Sequence, residues 1–490
     1  MIENRQYRYE QVIQKIEETI QILQLKPGDK IPSVRKISST LNVSTTTVFQ
    51  AYSIMEDRGL ITPRPRSGFI VSGKRTSTAG SAKDIIPLPE FVNIYAMERI
   101  MIKNTRKYGV INFSILAPVN ELLPIGKINK AMQASVREVA VDNYQYPFLE
   151  GHPRLLSQVA LHSFEWNKRI LPEDILITNG CMEAISLCLD TVTRRGDVVA
   201  IESPSYHAIL QCLESRGLKA LSISVDPVTG LNLDELEVAL LHNKVAACIF
   251  MPSCHNPTGA SMPEENKMRL VKLLGQRNIP LIEDDALGEL YFGSTRPLPA
   301  KAYDTYDNVL YCSSFSKTLP PGLRIGWVAA GKYQAEIEMH KFSNNISTNS
   351  LLQDAVGRYL EGGSYNSHLK KLRAAIKIQY NKYKEAILKY FPDVINLSCP
   401  SGGFSFWIEF PEKLDITEMQ KVALAKGISF CPGHIFSPSD RFSNYIRINS
   451  CPLFNAKIES SLAILGSLAK SMLNDLEHQD NLNNKLKIAI

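Results

Sequence analysis

The stretch SFSKTLPPGLRIGW runs from Ser314 to Trp327 and follows a short apolar run, Val309–Cys312. Similar runs precede it, separated from one another by segments of helix length, at Ile175–Thr178, Val198–Ile201, Ala246–Met251 and Ile279–Ile282. Short strands that alternate with helices build a mainly parallel sheet. The sequence therefore predicts an α/β domain with such a sheet over residues 111–470.

The same stretch carries candidate chemistry. Lys317 comes after a predicted strand, between the hydroxyls of nearby Ser314 and Ser316 and the guanidinium of Arg324. A lone lysine in a serine-rich segment is more often a solvated surface residue. A free lysine also has a pKa of about 10.4, so its protonated amine is a poor nucleophile at neutral pH. Hydroxyls and an arginine next to a lysine make a phosphate cup beside an amine that forms Schiff bases. That combination suits pyridoxal phosphate.

Two further segments supply partners for such a cofactor. Asp284 follows the apolar run Ile279–Ile282, and a carboxylate that faces a pyridine nitrogen keeps the nitrogen protonated. Asn256 lies in the motif HNPTG (255–259), where its amide can bond a ring oxygen and its bond to Pro257 is a candidate cis peptide. Taken alone, the acidic strand end also suits a solvated loop or a metal ligand, and NPTG suits an ordinary turn. We predict no metal site.

In this order, these segments resemble the class I and II aminotransferases, fold-type I enzymes that use pyridoxal 5′-phosphate. The resemblance spans about residues 111–470 and implies a mainly parallel sheet with a smaller C-terminal α/β subdomain. It assigns the Schiff base to Lys317, the pyridine nitrogen to Asp284 and the ring 3′-oxygen to Asn256. It also implies that Tyr206 stacks on the ring, that Tyr146 reaches the phosphate across a homodimer, and that Arg447 binds the carboxylate of a ligand. The implied phosphate ligands are Ser314, Ser316, Arg324, Gly180, Cys181 and Met182.

This chain departs from the aminotransferase pattern in two places. The family usually has a tyrosine two or three residues after the strand-end aspartate, where this chain has Ala286 and Leu287. Loss of that phenol is expected to raise the pKa of the Schiff base and to weaken amine exchange. Cys181 and Met182 stand where serine and glutamine are common, although their backbone N–H groups can still bind phosphate. Together these departures favour a sensor over an efficient transaminase.

The first 75 residues differ from the rest in charge. They hold 12 Lys and Arg against 7 Asp and Glu, whereas the rest of the chain is nearly balanced. Such an asymmetry indicates a polyanion partner or, more simply, a solvated basic face. Helical spacing of apolar residues, caps at Ser33 and Ser44 and a stop at Gly59 predict three helices, and a hairpin follows over Leu60–Val71.

Three helices and a hairpin in this order make a winged helix-turn-helix, whose third helix enters the major groove of DNA. The stretches 28–35, 41–48 and 56–61 resemble the GntR-type domain over about residues 5–72. A winged helix used for protein contacts is the alternative. Side chains expected at DNA lie on the second helix, the third helix and the wing, and they are Arg35; Ser44, Thr45, Thr46, Thr47 and Gln50; and Arg64 and Arg66.

Composition limits the class of protein. The chain has 490 residues, of which 44% are hydrophobic, and no apolar run is long enough to span a membrane. Nine scattered cysteines without a CxxC pair favour a reducing cytosol over a disulfide framework. The predicted order is a DNA-binding domain (1–72), a linker with a connecting helix (73–110), the aminotransferase-like domain (111–470) and a polar tail (471–490).

A GntR-type domain joined to an aminotransferase-like domain resembles the MocR subgroup of bacterial transcription regulators. The resemblance implies a cytoplasmic homodimer that binds double-stranded DNA and pyridoxal 5′-phosphate and senses that cofactor, a small amino compound, or both. One alternative is an active aminotransferase with an accessory DNA-binding domain. Another is a cofactor store or dimer scaffold in which Arg447 has no ligand.

Overall fold

The structure is a computed structural model, and it describes residues 8–22, 25, 28–41, 43–45, 47–48, 51–52, 55, 60–64, 68–71, 87–94, 109–138, 146–163, 166, 170–398, 400–439 and 441–488. The chain forms two compact units, Met1–Ile85 and Ile86–Ile490. Each unit has a hydrophobic core of its own.

The N-terminal unit contains two helices, α1 (Arg8–Ile22) and α2 (Val34–Leu41), and a hairpin of β1 (Ile61–Arg64) and β2 (Gly68–Val71). The backbone is also helical at Thr45 and at the described residues from there to position 55. Apolar side chains from all of these elements are buried together, and they include Val12, Ile16, Ile37, Val48, Tyr52, Met55, Ile61 and Val71. This is the arrangement that the sequence predicts for a winged helix-turn-helix.

Local hydrogen bonds explain where these helices begin. The hydroxyl of Ser33 accepts the N–H of Lys36 at 3.3 Å, and the hydroxyl of Ser44 accepts that of Thr47 at 3.1 Å. Both serines therefore act as N-caps. Residues 29–31 also pair with β2 through backbone hydrogen bonds, a contact that the sequence prediction did not include.

The second unit is built on strands. They are β3 (Glu90–Phe91), β4 (Ile111–Asn112), β5 (Ile175–Thr178), β6 (Val198–Ser203), β7 (Lys219–Asp226), β8 (Gly230–Leu231), β9 (Val245–Phe250), β10 (Leu281–Asp284), β11 (Val309–Ser314), β12 (Gly326–Ala329), β13 (Asn396–Leu397), β14 (Ser405–Glu409), β15 (Ile428–Ser429), β16 (Cys431–Pro432) and β17 (Tyr445–Asn449). The large sheet has the order β3-β7-β6-β9-β10-β11-β12-β5, with β8 beside β7. Its five central strands, β7, β6, β9, β10 and β11, run parallel, as predicted.

Helices cover this sheet and lead into the second half of the unit. They are α3 (Ile125–Arg137), α4 (Pro153–His162), α5 (Cys181–Val192), α6 (His207–Arg216), α7 (Leu233–His242), α8 (Glu264–Gln276), α9 (Gln334–Asn345), α10 (Ser350–Glu361), α11 (Ser364–Tyr390), α12 (Ile416–Ala425) and α13 (Ala456–Ile488). A smaller antiparallel sheet has the order β13-β14-β17-β16. It packs with α11, α12 and α13 in a separate core, which is the smaller α/β subdomain.

Strand register places the polar residues of the large sheet at one edge. Asp284 and Ser314 end the neighbouring parallel strands β10 and β11, and the carboxyl ends of parallel strands share an edge. The antiparallel partners bring Gly326 opposite Ser314, and Thr178 opposite Gly326. The turn that follows Thr178 therefore lies beside the turn that follows Ser314.

Two predicted boundaries differ from the structure. The predicted linker runs to residue 110, but Glu90–Phe91 pairs with β7, and Val92 and Ile94 are buried in the sheet's core. Alternating burial of apolar side chains therefore joins these residues to the second unit. The predicted connecting helix falls mostly on residues outside the described part of the chain. The predicted polar tail begins at residue 471, but α13 continues through it to Ile488 because its preceding turns are anchored in the core.

Candidate functional site

A turn between β5 and α5 presents backbone N–H groups at the start of a helix. Gly180 lies in this turn at φ +86°, and a Cβ there would lie 2.3 Å from Nη2 of Arg324. A Cβ on Gly326 would lie 2.5 Å from the carbonyl carbon of Gly180. Glycine is therefore required at both positions, and Cys181 and Met182 open the helix beside a guanidinium. The result is a cradle for an anion.

Arg324 is fixed in the cradle from two directions. Its Nη2 donates to the carbonyl of Asn179 at 2.9 Å, and its Nη1 donates to the hydroxyl of Ser316 at 3.3 Å. Ser314 is buried next to Gly326 across the sheet. The structure thus brings together the predicted phosphate ligands that lie on β11, on the turn after it and on the turn before α5.

A cluster of hydrogen bonds and charges around Glu183, which sequence reasoning missed, supports the cradle. The carboxylate of Glu183 accepts hydrogen bonds from the backbone N–H of Asn179 and from the side-chain amide of Asn345. The ammonium of Lys341 lies 3.7 Å from this carboxylate and donates to Thr348 at 3.0 Å. Lys341 is fully buried, and burial lowers its pKa. The cluster locks the turn whose N–H groups face the anion site.

Lys317 lies at the end of the 3-10 turn Phe315–Lys317, directly after β11. Its Nζ donates to the carbonyl of Leu116 at 2.6 Å. Burial lowers the pKa of Lys317, and the nearby Arg447 lowers it further. A lower pKa raises the fraction of neutral amine, which is the nucleophilic form.

Asp284 is buried at the carboxyl end of β10, with 3% of its surface exposed. Its Oδ1 accepts the thiol of Cys181 at 3.3 Å and the N–H of Ala286 at 3.1 Å. Burial raises the pKa of Asp284 to about 6, so the group is mainly a carboxylate at neutral pH. A buried carboxylate is a strong partner for a protonated ring nitrogen.

Arg447 lies in β17 with only 1% of its surface exposed. Its Nη1 donates to Oδ1 of Asn256 at 3.0 Å, and its Nη2 donates to the carbonyl of Ser114. Its guanidinium also lies over the ring of Phe436, 5.2 Å from the centroid. Its Nε is buried and has no hydrogen-bond partner within the described part of the chain. A buried cation with a spare donor suits a carboxylate ligand.

The two predicted tyrosines lie in different surroundings. Tyr206 directly precedes α6 and packs, partly buried, against the apolar clusters around the sheet edge. Tyr146 is 86% exposed. The structure thus leaves Tyr146 on the surface of its own chain.

The position of the missing tyrosine is apolar. Leu287 is 2% exposed and packs in a cluster with Leu116 and Cys451, against which Tyr206 also packs. Ala286 packs against the core under the sheet. Neither residue brings a hydroxyl to the site, so apolar side chains occupy the positions where the family usually has a tyrosine.

A second ionic cluster, also missed by sequence reasoning, braces the loop after Asp284. Arg296 binds Asp285 and Glu289, both at 2.5 Å, and Tyr311 donates to Asp285 at 2.7 Å. Arg296 holds the pKa of the Glu289 carboxyl well below its usual range against the effect of burial. The acidic run at 283–285 was the available sequence signal.

The residues present fit pyridoxal phosphate. The cradle supplies a cation and helix N–H groups for a phosphate, Lys317 an amine for an aldehyde, and Asp284 a carboxylate for a ring nitrogen. The peptide bond between Asn256 and Pro257 is cis, and Asn256 is buried beside Arg447. The described residues contain no group of three or more His, Cys, Asp or Glu that could hold a metal ion.

Comparison with known proteins agrees with this geometry. The model of the family Aminotransferase class I and II matches residues 110–465, and that of bacterial regulatory proteins of the gntR family matches residues 8–71. The uncharacterized HTH-type transcriptional regulator YdcR of Escherichia coli is 35% identical over 95% of this chain and 100% of its own length. The chain belongs to the GntR-type regulators fused to an aminotransferase-like domain.

This fusion is the MocR arrangement, and relatives of its second domain alone are enzymes. Aromatic-amino-acid aminotransferase 1 of Thermococcus litoralis is 29% identical over 76% of this chain and 91% of its own. The structure of LysN, the α-aminoadipate aminotransferase of Thermus thermophilus, superimposes with a TM-score of 0.72 at 28% identity, covering 76% of this chain and 95% of that one. Family and site together make pyridoxal 5′-phosphate the cofactor of this MocR-type chain.

The GntR domain of this regulator binds DNA, and the structure describes part of its predicted interface. Ser44 and Thr45 are exposed, and Thr47 is half-buried with its hydroxyl 2.8 Å from that of Ser44. The backbones of Arg35 and Arg64 lie in α2 and β1. Thr46, Gln50 and Arg66 lie outside the described residues. No helix of the described chain is both long and apolar enough to cross a membrane.

Proposed function

We propose that this MocR-type regulator changes its DNA binding when its second unit holds pyridoxal 5′-phosphate, an amino compound, or both. As a regulator that acts on the chromosome, it works in the cytoplasm. The observation that carries the proposal is Arg447, a fully buried cation beside Asn256 and near Lys317, whose Nε has no hydrogen-bond partner among the described residues. Such a group can select a carboxylate.

The bound cofactor supplies an aldehyde for amines and an electron-withdrawing ring. The chain does the rest. Gly180, Ser316 and Arg324 would hold the cofactor's phosphate, Asp284 would keep its ring nitrogen protonated, and Lys317 would supply an amine for its aldehyde. Arg447 would orient the carboxylate of an amino ligand.

The missing hydroxyl favours sensing over turnover. The apolar side chains of Ala286 and Leu287 leave the ring 3′-oxygen without the phenol that the family places there. Weaker amine exchange is compatible with a slowly changing signal, because a regulator needs two liganded states with different contacts rather than many turnovers.

We further propose that the regulator is a homodimer and that Tyr146 binds the phosphate held by the other subunit. The exposure of Tyr146, at 86%, and of nearby Phe148, at 71%, supports this assignment. Large exposed apolar side chains that lie close together in the chain are typical of an interface.

Footprinting on the DNA upstream of this gene and its neighbours tests the proposed function. Wild-type protein is compared with and without pyridoxal 5′-phosphate and with added amino acids. A protected site that changes with these ligands in the wild type, and no longer changes in Lys317→Ala, is the expected result. Lys332→Ala, which removes an exposed lysine of the same unit, is the control. An unchanged ligand response in Lys317→Ala would contradict the proposal.

The predicted DNA contacts need their own test. Arg35→Ala should lower affinity for all DNA sequences and reduce the dependence of binding on salt, because a phosphate contact carries no sequence information. A change of sequence preference in Arg35→Ala, with an unchanged salt slope, would place this arginine at a base edge instead.

A second candidate is an active aminotransferase with an accessory DNA-binding domain. The complete set of Lys317, Asp284 and Arg447 favours it. Steady formation of a keto acid from an amino donor at many turnovers per protein, without any ligand-dependent footprint, would support this candidate over the regulator.

A further inference from the structure

Three successive backbone carbonyls in the second unit face three side-chain donors. The carbonyl of Ser114 accepts from Arg447, that of Ile115 from the amide of Asn449, and that of Leu116 from Lys317 at 2.6 Å. We call residues 114–116 the carbonyl segment. Two of these three donors, Arg447 and Lys317, are the groups that bind an amino ligand in the proposed function.

A ligand and the carbonyl segment compete for these donors. A carboxylate that binds Arg447 in a bidentate manner, through the unpartnered Nε and through Nη2, would take the place of the Ser114 carbonyl at Nη2. An aldehyde that condenses with Lys317, with loss of water, would remove that amine from the Leu116 carbonyl. A carboxylate accepts more strongly than a neutral carbonyl, so the exchange at Arg447 is favourable once the segment moves. Two contacts oppose this movement. One is at Asn112, whose Oδ1 accepts the N–H groups of Ser114 at 2.8 Å and Ile115 at 3.2 Å, and the other is the third side-chain donor, Asn449.

Asn449 is well placed to anchor the segment. It lies two residues after Arg447 in β17, so both side chains leave the same face of the strand. Asn449 is 2% exposed, and its Oδ1 accepts the N–H of Cys451 at 2.9 Å. That bond directs its amide nitrogen at Ile115. Asn449 is neutral, so it holds the segment without attracting a carboxylate as Arg447 does.

The start of the segment is held independently. The N–H of Phe113 donates to the carbonyl of Ser429 at 2.8 Å, and the hydroxyls of Ser114 and Ser429 lie 2.8 Å apart. Phe113 itself is fully buried in the core of the smaller subdomain. Releasing Ile115 therefore loosens the part of the segment that faces Lys317 and leaves its beginning in place.

We propose that Asn449 is a positioning residue that controls how readily a carboxylate-bearing ligand reaches Arg447 and Lys317. It does so by anchoring the carbonyl segment over both donors. This inference rests on the proposed amino-ligand site, but it does not depend on any response of DNA binding. Removing the buried hydrogen bond between Asn449 and Ile115 is therefore expected to tighten ligand binding.

Calorimetric titration of the full chain, freed of cofactor, tests the proposal with two ligands that form no covalent bond with Lys317. One is N-(5′-phosphopyridoxyl)-L-leucine, which carries a carboxylate, and the other is pyridoxamine 5′-phosphate, which does not. In Asn449→Ala the affinity for the leucine adduct, relative to pyridoxamine 5′-phosphate, should rise about fivefold, the worth of one net hydrogen bond.

Asn444→Ala is the matched control, because Asn444 is also a buried asparagine whose amide donates to a backbone carbonyl, that of Phe410, just before β17. Its affinity ratio should equal that of the wild type. If the alanine variant does not fold, the same affinity ratio is measured in Asn449→Ser, because a serine side chain is too short to reach the carbonyl of Ile115. An unchanged or lower ratio in the Asn449 variants would overturn the proposal, even if the ligand-dependent footprint is found.

Discussion

The DNA-binding unit and the cofactor site use burial in opposite ways. In the N-terminal unit, the core is built from apolar side chains such as Val48 and Tyr52, while Thr45 at the start of the same helix is exposed. In the second unit, the functional groups are themselves buried, including Asp284 at 3% exposure and Arg447 at 1%. Folding and function are thus separable in the first region and combined in the second.

This difference has an energetic consequence. Burying a charge costs desolvation free energy, which hydrogen bonds and opposite charges offset. The offset is smaller in a site that keeps a donor or an acceptor free for a ligand. The cofactor site is therefore expected to weaken the free chain and to be stabilised by its ligand. The DNA-binding surface carries no such cost.

The largest expected effect is at Asp284. Burial raises its folded-state pKa from 3.8 to about 6, so the favourable contribution of the protonated form is lost as the pH rises through 6. At pH 7, Asp284→Asn should therefore stabilise the cofactor-free chain by up to about 3 kcal/mol, since one pKa unit is about 1.4 kcal/mol. It should also weaken binding of pyridoxal 5′-phosphate about 100-fold, because an ionic partner is lost.

Denaturant unfolding and absorbance titration with the cofactor measure the two effects. Asp304→Asn is the contrasting control, because Asp304 is equally buried but Lys301 and backbone N–H groups lower its pKa. That change should destabilise the chain and leave cofactor affinity nearly unchanged. A less stable Asp284→Asn chain would contradict the idea that the site costs stability.

A slightly smaller effect is expected at Gly180. An alanine there must adopt a positive φ and push its Cβ against Arg324. Such strain is of the order of 1–3 kcal/mol, and it falls on the phosphate cradle, so Gly180→Ala should weaken cofactor binding about 30-fold. Gly322→Ala, in the turn Pro321–Leu323, is the control, since no atom of the described residues lies within 4 Å of its added Cβ. Equal affinities for the two variants would show that the cradle does not hold the phosphate.

Much of this contrast could be predicted from the sequence. Strands and caps follow local rules, so the alternating pattern and Ser33 and Ser44 predicted the parallel sheet and the helix starts. The residues of the site were predicted through a resemblance. No local sequence pattern shows that Nη1 of Arg447 lies 3.0 Å from Oδ1 of Asn256, because the two residues are far apart in the chain.

What the sequence did not predict depends on tertiary contacts. The carboxylate of Glu183 looks like a solvated first-turn residue, yet it holds the turn at Asn179 and lies near the buried Lys341. Asn449 could have been suspected only from its place two residues after Arg447. Backbone acceptors such as the Leu116 carbonyl leave no side-chain signal at all.

Acid should weaken the cofactor site and not the DNA-binding core. With its pKa near 6, Asp284 gains a proton as the pH falls below 6 and loses its negative charge toward the ring. Affinity for pyridoxal 5′-phosphate should then fall by up to about tenfold per pH unit. Ultrafiltration of the cofactor from pH 7.5 down to pH 5 measures this dependence. A slope equally steep in Asp284→Asn would assign the dependence to another group.

The smallest effect, and the sharpest test of separability, concerns two neighbouring residues of the DNA-binding unit. Ser44 caps the third helix by accepting the N–H of Thr47, so Ser44→Ala should destabilise this unit by about 1 kcal/mol. Thr45 is exposed, so Thr45→Ala should leave stability unchanged and alter only DNA affinity. Hydrogen exchange of the amides of residues 34–48 and a DNA titration measure the two properties separately. If Thr45→Ala also lowered protection of these amides, folding and function would be coupled here as they are around Asp284.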